Sequence, residues 1–391
     1  MIRLLLCLMV LLFFSVSLIR CAAFNSHSYK DFKLVSDGSF LFYNNPASVV
    51  YEDGFFVAYL TSEGGVKLDF WDKTNLSKSL LVHDYKIDIN YELGFADDHA
   101  APAIIYDEVE RRLLIATAYH GTPMHVYEYF PETDTMHRLT VWEGRYTYPQ
   151  FIKSNEGIWL LARNQKTQDS GDLVYRSASD DFQSERTVMQ SGAGFVVYAG
   201  TPKVKDGVLY FTYSIHDYKK NALRGLSLAG YDLDSREVVS ICDFSWMLDK
   251  DYISNRPTGL GIKKDIATFA TSFFSYPVTY SSAEQENFSG EQAVKIIKGR
   301  LGECDSFKVV FSKNDVAMPY YDVDVAINDD GDWLFFDKDN VVTNSGIKNC
   351  FMNSNMLYPK FVEGVGVLYA VMNQPYAIRD FNNSLFGCVL Q

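Results

Sequence analysis

The chain has 391 residues, a net charge of -13 and 47% hydrophobic residues, so it is long enough to bury a large core. Its length alone would allow more than one domain. Nucleic acid and anionic lipid require a basic surface, so this acidic composition argues against either as the main partner. A polyanionic ligand would instead need a local cluster of arginine or lysine side chains.

The N-terminal segment has the features of an export signal. Arg3 precedes an apolar run over residues 4–19, and the small residues Ala22 and Ala23 follow it. The run is short for a bilayer span, and the small residues suit cleavage. We therefore predict a signal peptide over residues 1–23 and a secreted or periplasmic protein with no stable membrane insertion after cleavage. An uncleaved N-terminal anchor is the alternative.

Four cysteines remain after the predicted signal: Cys242, Cys304, Cys350 and Cys388. They are widely spaced and form no C-x-x-C pair, so a zinc or redox motif is not supported. In an oxidising compartment they allow three disulfide pairings, among which the sequence does not choose. Buried free thiols are the other interpretation.

A short pattern recurs along the mature chain: a proline, an apolar strand, a turn with an acidic residue or glycine, and a second apolar strand. Its first copy, NPASVVYEDGFFVAY, begins at Asn45. Seven of the eleven prolines occupy this position. They are Pro46, Pro102, Pro149, Pro202, Pro257, Pro319 and Pro359.

Each copy predicts a β-hairpin, because proline is tolerated at the start of a strand and acidic-glycine pairs favour tight turns. Repeats of roughly 50 residues leave room for four strands each. We therefore predict an all-β fold, a seven-bladed β-propeller of four-stranded antiparallel blades, as one domain over residues 24–391. A two-sheet sandwich with coincidental turns is the alternative. In a propeller the strands that begin at the prolines converge on one axial mouth.

Several segments resemble those of the BNR-repeat proteins that include the propeller ulvan lyases. They are FYNNPASVVYEDGFFVAYLTSEGGVKLDFWD from Phe42, DDHAAPA from Asp97, AYHG from Ala118, YTYPQ from Tyr146, LARN from Leu161 and YRSASDD from Tyr175. The resemblance is clearest between about residues 40 and 215.

The resemblance implies a lyase site. It places the acid and base of the reaction on His99 and Tyr148, and it gives Arg163 the role of neutralising a uronate carboxylate. The substrate contacts expected with them are His120, Asn45, Tyr198 and Arg256. Two departures concern substrate identity: the Tyr148-to-Arg163 spacing is one residue short of the usual pattern, and Ala100 replaces an asparagine common after D-D-H.

The implied chemistry is β-elimination, which removes the C5 proton of a uronic acid and expels the oxygen at C4. A bidentate arginine stabilises the resulting charge on the carboxylate better than lysine does. Tyrosine has an ordinary pKa near ~10, so Tyr148 would need a nearby cation such as Arg163 to act as a base. This scheme requires no cofactor, and we expect a monomer acting on an acidic polysaccharide.

Structural roles compete with these assignments. His99 and His120 could be ordinary buried histidines, Tyr148 a packing aromatic, and Arg163 a partner of Asp169 or Asp172. No third ligand accompanies His120 and His125, so no metal site is predicted. A sialidase-like glycoside hydrolase and a non-catalytic carbohydrate-binding propeller are the alternative functions. Residues 177–184 resemble a degraded Asp-box, which is a structural turn in either case.

Overall fold

The computed structural model describes residues 29–38, 47–72, 74–85, 100–119, 121–155, 157–167, 170–220, 222–247, 254–274, 292–316, 323–337, 340–345, 351, 353, 356–362, 365–372 and 383–390. The predicted signal peptide therefore lies outside the described residues, as do Asn45, His99, His120 and Cys350. In the part of the chain that is described, no helix is long and apolar enough to cross a membrane.

The described residues form an all-β protein with three 3₁₀ turns. The first strands are β1 (Tyr29–Gly38), β2 (Ala47–Tyr51), β3 (Gly54–Leu60), β4 (Gly65–Asp72), β5 (Asn75–Asp84), β6 (Ala103–Asp107), β7 (Arg112–Thr117), β8 (Thr122–Phe130) and β9 (Thr135–Ser154). They are followed by β10 (Gly157–Thr167), β11 (Ser170–Ser177), β12 (Arg186–Met189), β13 (Phe195–Ala199), β14 (Lys203–Lys205), β15 (Val208–Asp217), β16 (Ala222–Asp232) and β17 (Glu237–Asp243). The last strands are β18 (Ser254–Lys263), β19 (Ile266–Phe274), β20 (Gln292–Arg300), β21 (Lys308–Lys313), β22 (Ala326–Ile327), β23 (Trp333–Asp337), β24 (Asn340–Thr343), β25 (Met356–Val362), β26 (Gly366–Met372) and β27 (Asn383–Leu390).

These strands form sheets that follow one another along the chain, and their pairings are antiparallel except for the parallel pairing of β11 with β13. Strands β2–β5 and β18–β21 each form a four-stranded sheet, and β22–β24 form a smaller one. Strands β6–β17 are joined in one long sheet because the 20-residue β9 pairs with β8 in its first part and with β10 in its second. The last sheet has the order β1-β27-β26-β25, so the N-terminal strand closes the sheet formed by the C-terminal strands.

The apolar core lies between consecutive sheets. One cluster packs Leu226 of β16 against Phe269 of β19, and the next packs Ala270 against Phe335 of β23. The first cluster joins Phe55 of β3 to Leu385 of β27, so the last sheet packs on the first. This cyclic order of packing gives a propeller-like arrangement, as the sequence repeat predicts.

The repeat prolines mark irregularities in the innermost strands. In β9, Tyr148 and Pro149 together lie opposite the single residue Ala162 of β10, which defines a β-bulge. Register shifts also occur beside Pro257 in β18 and at Pro359 in β25. The expectation that each proline begins its strand is therefore wrong for these three copies, because each strand begins before the proline and continues through the bulge.

The innermost strands enclose a cavity of about 210 Å³. Seven short stretches line it, and each lies at or near one of the repeat prolines. They are Ala47, residues 101–104, 149–151, 199–202, 256–258, 323–324 and Lys360. We call this space the axial cavity.

A disulfide joins Cys242 of β17 to Cys304 in the 3₁₀ turn Cys304–Ser306, across a sequence separation of 62 residues. It selects one of the pairings that the sequence leaves open. Cys388 is disulfide-bonded as well. None of these three cysteines is therefore a free thiol.

Candidate functional site

Three of the predicted site residues meet at one end of the innermost strands. The guanidinium carbon of Arg163 lies 4.6 Å from the centre of the Tyr148 ring and 5.0 Å from the centre of the Tyr198 ring. The two tyrosine rings are 6.0 Å apart. Guanidinium groups at such distances from aromatic faces are held by cation–π attraction. We call these three residues the Arg163 cluster.

Strand geometry explains how the cluster forms. On β10, Trp159 and Leu161 pack into the core that this strand shares with β15 and β16. Arg163 lies on the same face of β10, near the end of the strand. Thr147 of β9 lies opposite Arg163, which places Tyr148 beside it. A side chain at Gly171 would crowd the arginine, because its Cβ would lie 3.1 Å from Arg163 Cδ.

Tyr148 has an unusual backbone conformation. Among the described residues it is the one non-glycine residue that has a left-handed φ, 57°, inside a strand, whereas the others with positive φ lie in turns and loops. Such conformations disfavour side chains with a Cβ and are frequent at functional sites. The bulge thus turns Tyr148 towards Arg163. Tyr148 is partly exposed as a residue, but its hydroxyl oxygen is buried, and Arg163 and Tyr198 are each only 4% exposed.

An aromatic group that the motifs do not identify extends the cluster. The ring of His216 on β15 lies 6.0 Å from that of Tyr198 and 4.5 Å from that of Tyr218. His216 is buried, and Ser214 precedes it by two residues on the same face of β15. Sequence reasoning missed His216 because it follows no family motif, although it lies on the strand paired with Tyr198.

Of the other predicted substrate contacts, Arg256 is the one that the structure describes. Arg256, only 4% exposed, lines the axial cavity with Pro257 and Thr258. Asn45, His99 and His120 are outside the described residues, so their roles stay predictions. Asp172, offered above as a structural partner of Arg163, has an ion pair with Lys166 at 2.6 Å and accepts a hydrogen bond from the Ser191 amide.

A second arginine cluster lies on the opposite face of the same sheet. Arg176 of β11 stacks 4.3 Å from the Trp142 ring, and it donates hydrogen bonds to the Tyr146 hydroxyl and to Glu185. The Tyr146 hydroxyl donates a 2.6 Å hydrogen bond to Glu185. Burial, followed by the hydrogen bond and charge of Glu185, raises the pKa of Tyr146 to about 12. We call these residues the Arg176 cluster.

The Arg176 cluster holds the degraded Asp-box in place. Arg176 donates to the carbonyl oxygens of Phe182 and Gln183, and the Phe182 ring is completely buried in the core. Asp180 accepts a hydrogen bond from the Ser184 amide, which closes the turn. The interpretation of residues 177–184 as a structural turn agrees with this geometry.

Two histidines, His83 on β5 and His125 on β8, also lie in contact with each other. The rings of His83 and His125 are 4.4 Å apart, and His83 Nδ1 lies 2.7 Å from the Tyr127 hydroxyl. The Tyr85 hydroxyl shares a hydrogen bond with Thr117. In the stretches that the structure covers, no group of three or more His, Cys, Asp or Glu side chains is arranged to hold a metal ion.

The sheets, their cyclic packing and the site at one end of the inner strands define a propeller-like all-β protein. Residues 55–235 match the model of the BNR repeat-containing family, which confirms the resemblance inferred from the motifs. This segment contains Tyr148, Arg163 and Tyr198. No curated protein sequence is significantly similar to the chain.

Several solved structures share the fold. An ulvan lyase of polysaccharide lyase family PL25, bound to -[GlcA(1-4)Rha3S]-, aligns with a TM-score of 0.62 at 12% identity, covering 91% of this chain and 95% of its own. The polysaccharide lyase Uly1 aligns with a TM-score of 0.57 at 10% identity, covering 92% and 98%. An oligogalacturonate lyase from Vibrio parahaemolyticus aligns with a TM-score of 0.51 at 9% identity, covering 92% and 96%. At these identities the likeness establishes the fold.

Proposed function

We propose that this protein is a secreted polysaccharide lyase that cleaves a uronic-acid-containing, ulvan-like polysaccharide by β-elimination. The observation that carries the proposal is the Arg163 cluster, in which one guanidinium contacts two neighbouring tyrosine rings. One of them, Tyr148, lies on a bulged inner strand with its ring partly exposed and its hydroxyl oxygen buried next to the cluster. The shared fold with an ulvan lyase bound to a glucuronate-containing oligosaccharide supports the substrate class.

In the proposed reaction Arg163 binds the uronate carboxylate. Its planar guanidinium can donate two parallel hydrogen bonds, which stabilise the charge that develops when C5 loses its proton. The two aromatic rings fix the guanidinium plane, so little reorganisation is needed when that charge appears.

Tyr148 and His99 carry the proton transfers. One of them removes the C5 proton, the C4–O bond breaks as the C4=C5 double bond forms, and the other, or the same group after its protonation, gives a proton to the leaving oxygen. A guanidinium 4.6 Å from the Tyr148 ring stabilises a phenolate, so Tyr148 is suited to act as the base. Water is not consumed in this reaction.

The architecture and location form part of the same proposal. Seven stretches around the axial cavity, each near a repeat proline, support seven blades. Export is supported by the Cys242–Cys304 disulfide, because disulfides persist mainly in oxidising compartments.

The proposal is tested by incubating the mature protein with ulvan and glucuronan. Elimination should produce the ultraviolet absorbance of an unsaturated uronate together with new reducing ends. Reducing ends without that absorbance would indicate a hydrolase, and binding without either signal would indicate a carbohydrate-binding protein. Either of these results contradicts the lyase assignment.

A further inference from the structure

The axial cavity contains a lysine with no apparent structural task. Lys360 follows the bulge of β25, lines the cavity and is half-buried. Within the described part of the chain, no hydrogen bond or ion pair reaches its ammonium group. An ammonium that loses part of its hydration without gaining a partner is unfavourable, so an unpaired lysine in a cavity is a candidate contact for a bound anion.

The residues that line the cavity with Lys360 are mostly apolar, but they include a second cation. Arg256 lines the same cavity from β18, and Asp324 contributes a carboxylate. Lys203, which is ion-paired with Asp329 at 2.7 Å, lies close enough to repel the Lys360 charge. Two cations and one carboxylate thus border the cavity, so its lining carries a formal charge of +1 when Lys360 is protonated, in a chain whose net charge is -13.

Thr258 supplies an independent observation. Thr258 lines the cavity, and only 5% of its surface is exposed. Its hydroxyl has no hydrogen-bond partner among the described residues. Buried hydroxyls without partners are uncommon because each costs free energy comparable to a lost hydrogen bond. A bound group in the cavity would satisfy both the Thr258 hydroxyl and the Lys360 ammonium.

We infer that the axial cavity is a binding site for a small oxyanion of the size and charge of sulfate or phosphate, held by Lys360, Arg256 and Thr258. Oxyanions accept hydrogen bonds from ammonium, guanidinium and hydroxyl groups alike. The volume of about 210 Å³ accommodates such an ion with water around it. The cavity adjoins the Arg163 cluster through Pro149 and Ala199, but no residue of that cluster lines it, and the inference does not depend on lyase activity.

The protonation of Lys360 gives the site a characteristic pH dependence. Burial, with a smaller contribution from the charge of Lys203, lowers the pKa of Lys360 to about 8. Below that pH the ammonium is charged and binds the anion, and above it the lysine is neutral. Sulfate keeps its charge throughout this range, so its affinity should fall about tenfold between pH 7 and pH 9 if Lys360 is the titrating group.

The test is isothermal titration of the mature protein with sodium sulfate at constant ionic strength. Wild type should bind one sulfate at pH 7, and Lys360→Met should weaken binding at least ~10-fold. The isosteric Thr258→Val should weaken it several-fold. Lys298→Met, which removes an exposed lysine on β20, should bind as wild type does.

Each result decides the inference. Absence of sulfate and phosphate binding to wild type, or equal affinity of wild type and Lys360→Met, would overturn it. If Lys360→Met does not fold, Thr258→Val and the pH dependence of the wild type decide instead. Unchanged affinity in Thr258→Val together with no loss between pH 7 and pH 9 would likewise exclude this site.

Discussion

Two arginines on neighbouring strands, Arg163 on β10 and Arg176 on β11, are each stacked on aromatic rings, but their surroundings differ. Arg176 lies where a carboxylate, Glu185, and two carbonyl oxygens accept its hydrogen bonds, and it holds a turn in place. Arg163 contacts tyrosines from β9 and β13, and the residues after these tyrosines, Pro149 and Ala199, line the axial cavity.

This comparison shows that aromatic stacking alone does not identify a functional arginine. Both clusters adjoin a register shift in β9, which lies between Trp142 and Tyr146 for the Arg176 cluster. Only the Arg163 cluster includes a non-glycine residue, Tyr148, with left-handed backbone geometry inside a strand. Irregular backbone of this kind is typically retained where it positions a side chain for function. Arg163 and Arg176, and likewise Tyr148 and Tyr146, can therefore be substituted as matched pairs, one member from each cluster.

The largest difference should appear between the two arginines. Arg163→Ala should abolish detectable turnover, and Arg163→Lys should restore little, because lysine lacks the bidentate geometry; we expect losses of at least ~10³-fold in kcat. Circular dichroism and thermal unfolding measure whether the fold is retained, and ultraviolet absorbance of the product measures activity.

Arg176→Lys is the control for this change. It should lower the thermal midpoint, because hydrogen bonds to Glu185 and the Asp-box turn are lost, while kcat stays within a few-fold of wild type. Full activity in Arg163→Ala, or equal loss of kcat in both lysine variants, would show that the two clusters are not functionally distinct.

The next largest difference concerns the tyrosines. Tyr148→Phe should reduce kcat by about 10²–10⁴-fold with little change in stability, because it removes the proposed proton-transfer group. Tyr146→Phe should leave kcat unchanged and lower the free energy of unfolding by about 1–2 kcal/mol, because the partly buried hydrogen bond to Glu185 is lost. Steady-state kinetics and denaturant unfolding measure the two effects, and the reverse pattern would refute the assignment.

A smaller effect is expected at Tyr198, which was predicted from the sequence to contact substrate. Its burial against Arg163 suggests to us that it positions the guanidinium instead. Tyr198→Leu should then lower kcat/KM by roughly 3- to 30-fold, in line with the loss of a cation–π contact, while Tyr198→Phe keeps the ring and the activity. A higher KM in Tyr198→Phe with unchanged kcat would instead support direct substrate contact through the hydroxyl.

The smallest effect is a pH dependence of stability in the Arg176 cluster. Below pH 10 Tyr146 is neutral in both the folded and the unfolded chain. Between pH 10 and the folded pKa of about 12 only the unfolded tyrosine ionises, so wild type loses stability as pH rises. Tyr146→Phe should remove about 1–3 kcal/mol of that loss in unfolding experiments across this range. An identical decline in both proteins would contradict the raised pKa.

Much of the fold follows from local sequence patterns. The proline-strand-turn repeat predicts the hairpins, and the described sheets contain them in order. The bulges are not predicted, because their register depends on pairing between strands; Tyr148 and Pro149 oppose one residue only once β10 is in place. The closure of β1 on β27 is likewise a contact between the ends of the chain that no local pattern encodes.

The site is predictable only in part, for a related reason. Family motifs identify Tyr148 and Arg163, and the structure places them together. His216, Glu185 and Lys360 carry no motif, since their importance depends on which strands become neighbours. Burial and partner geometry, which follow from tertiary packing, separate Arg163 from Arg176 where residue type alone does not.

The most direct test of the lyase assignment is cleavage of ulvan in water labelled with heavy oxygen, followed by mass spectrometry of the products. β-Elimination at the Arg163 cluster transfers only protons to the products, so we predict an unsaturated uronate end and no incorporation of labelled oxygen at the cleaved bond. One labelled oxygen per cleaved bond, on a saturated product, would contradict the account and identify a hydrolase.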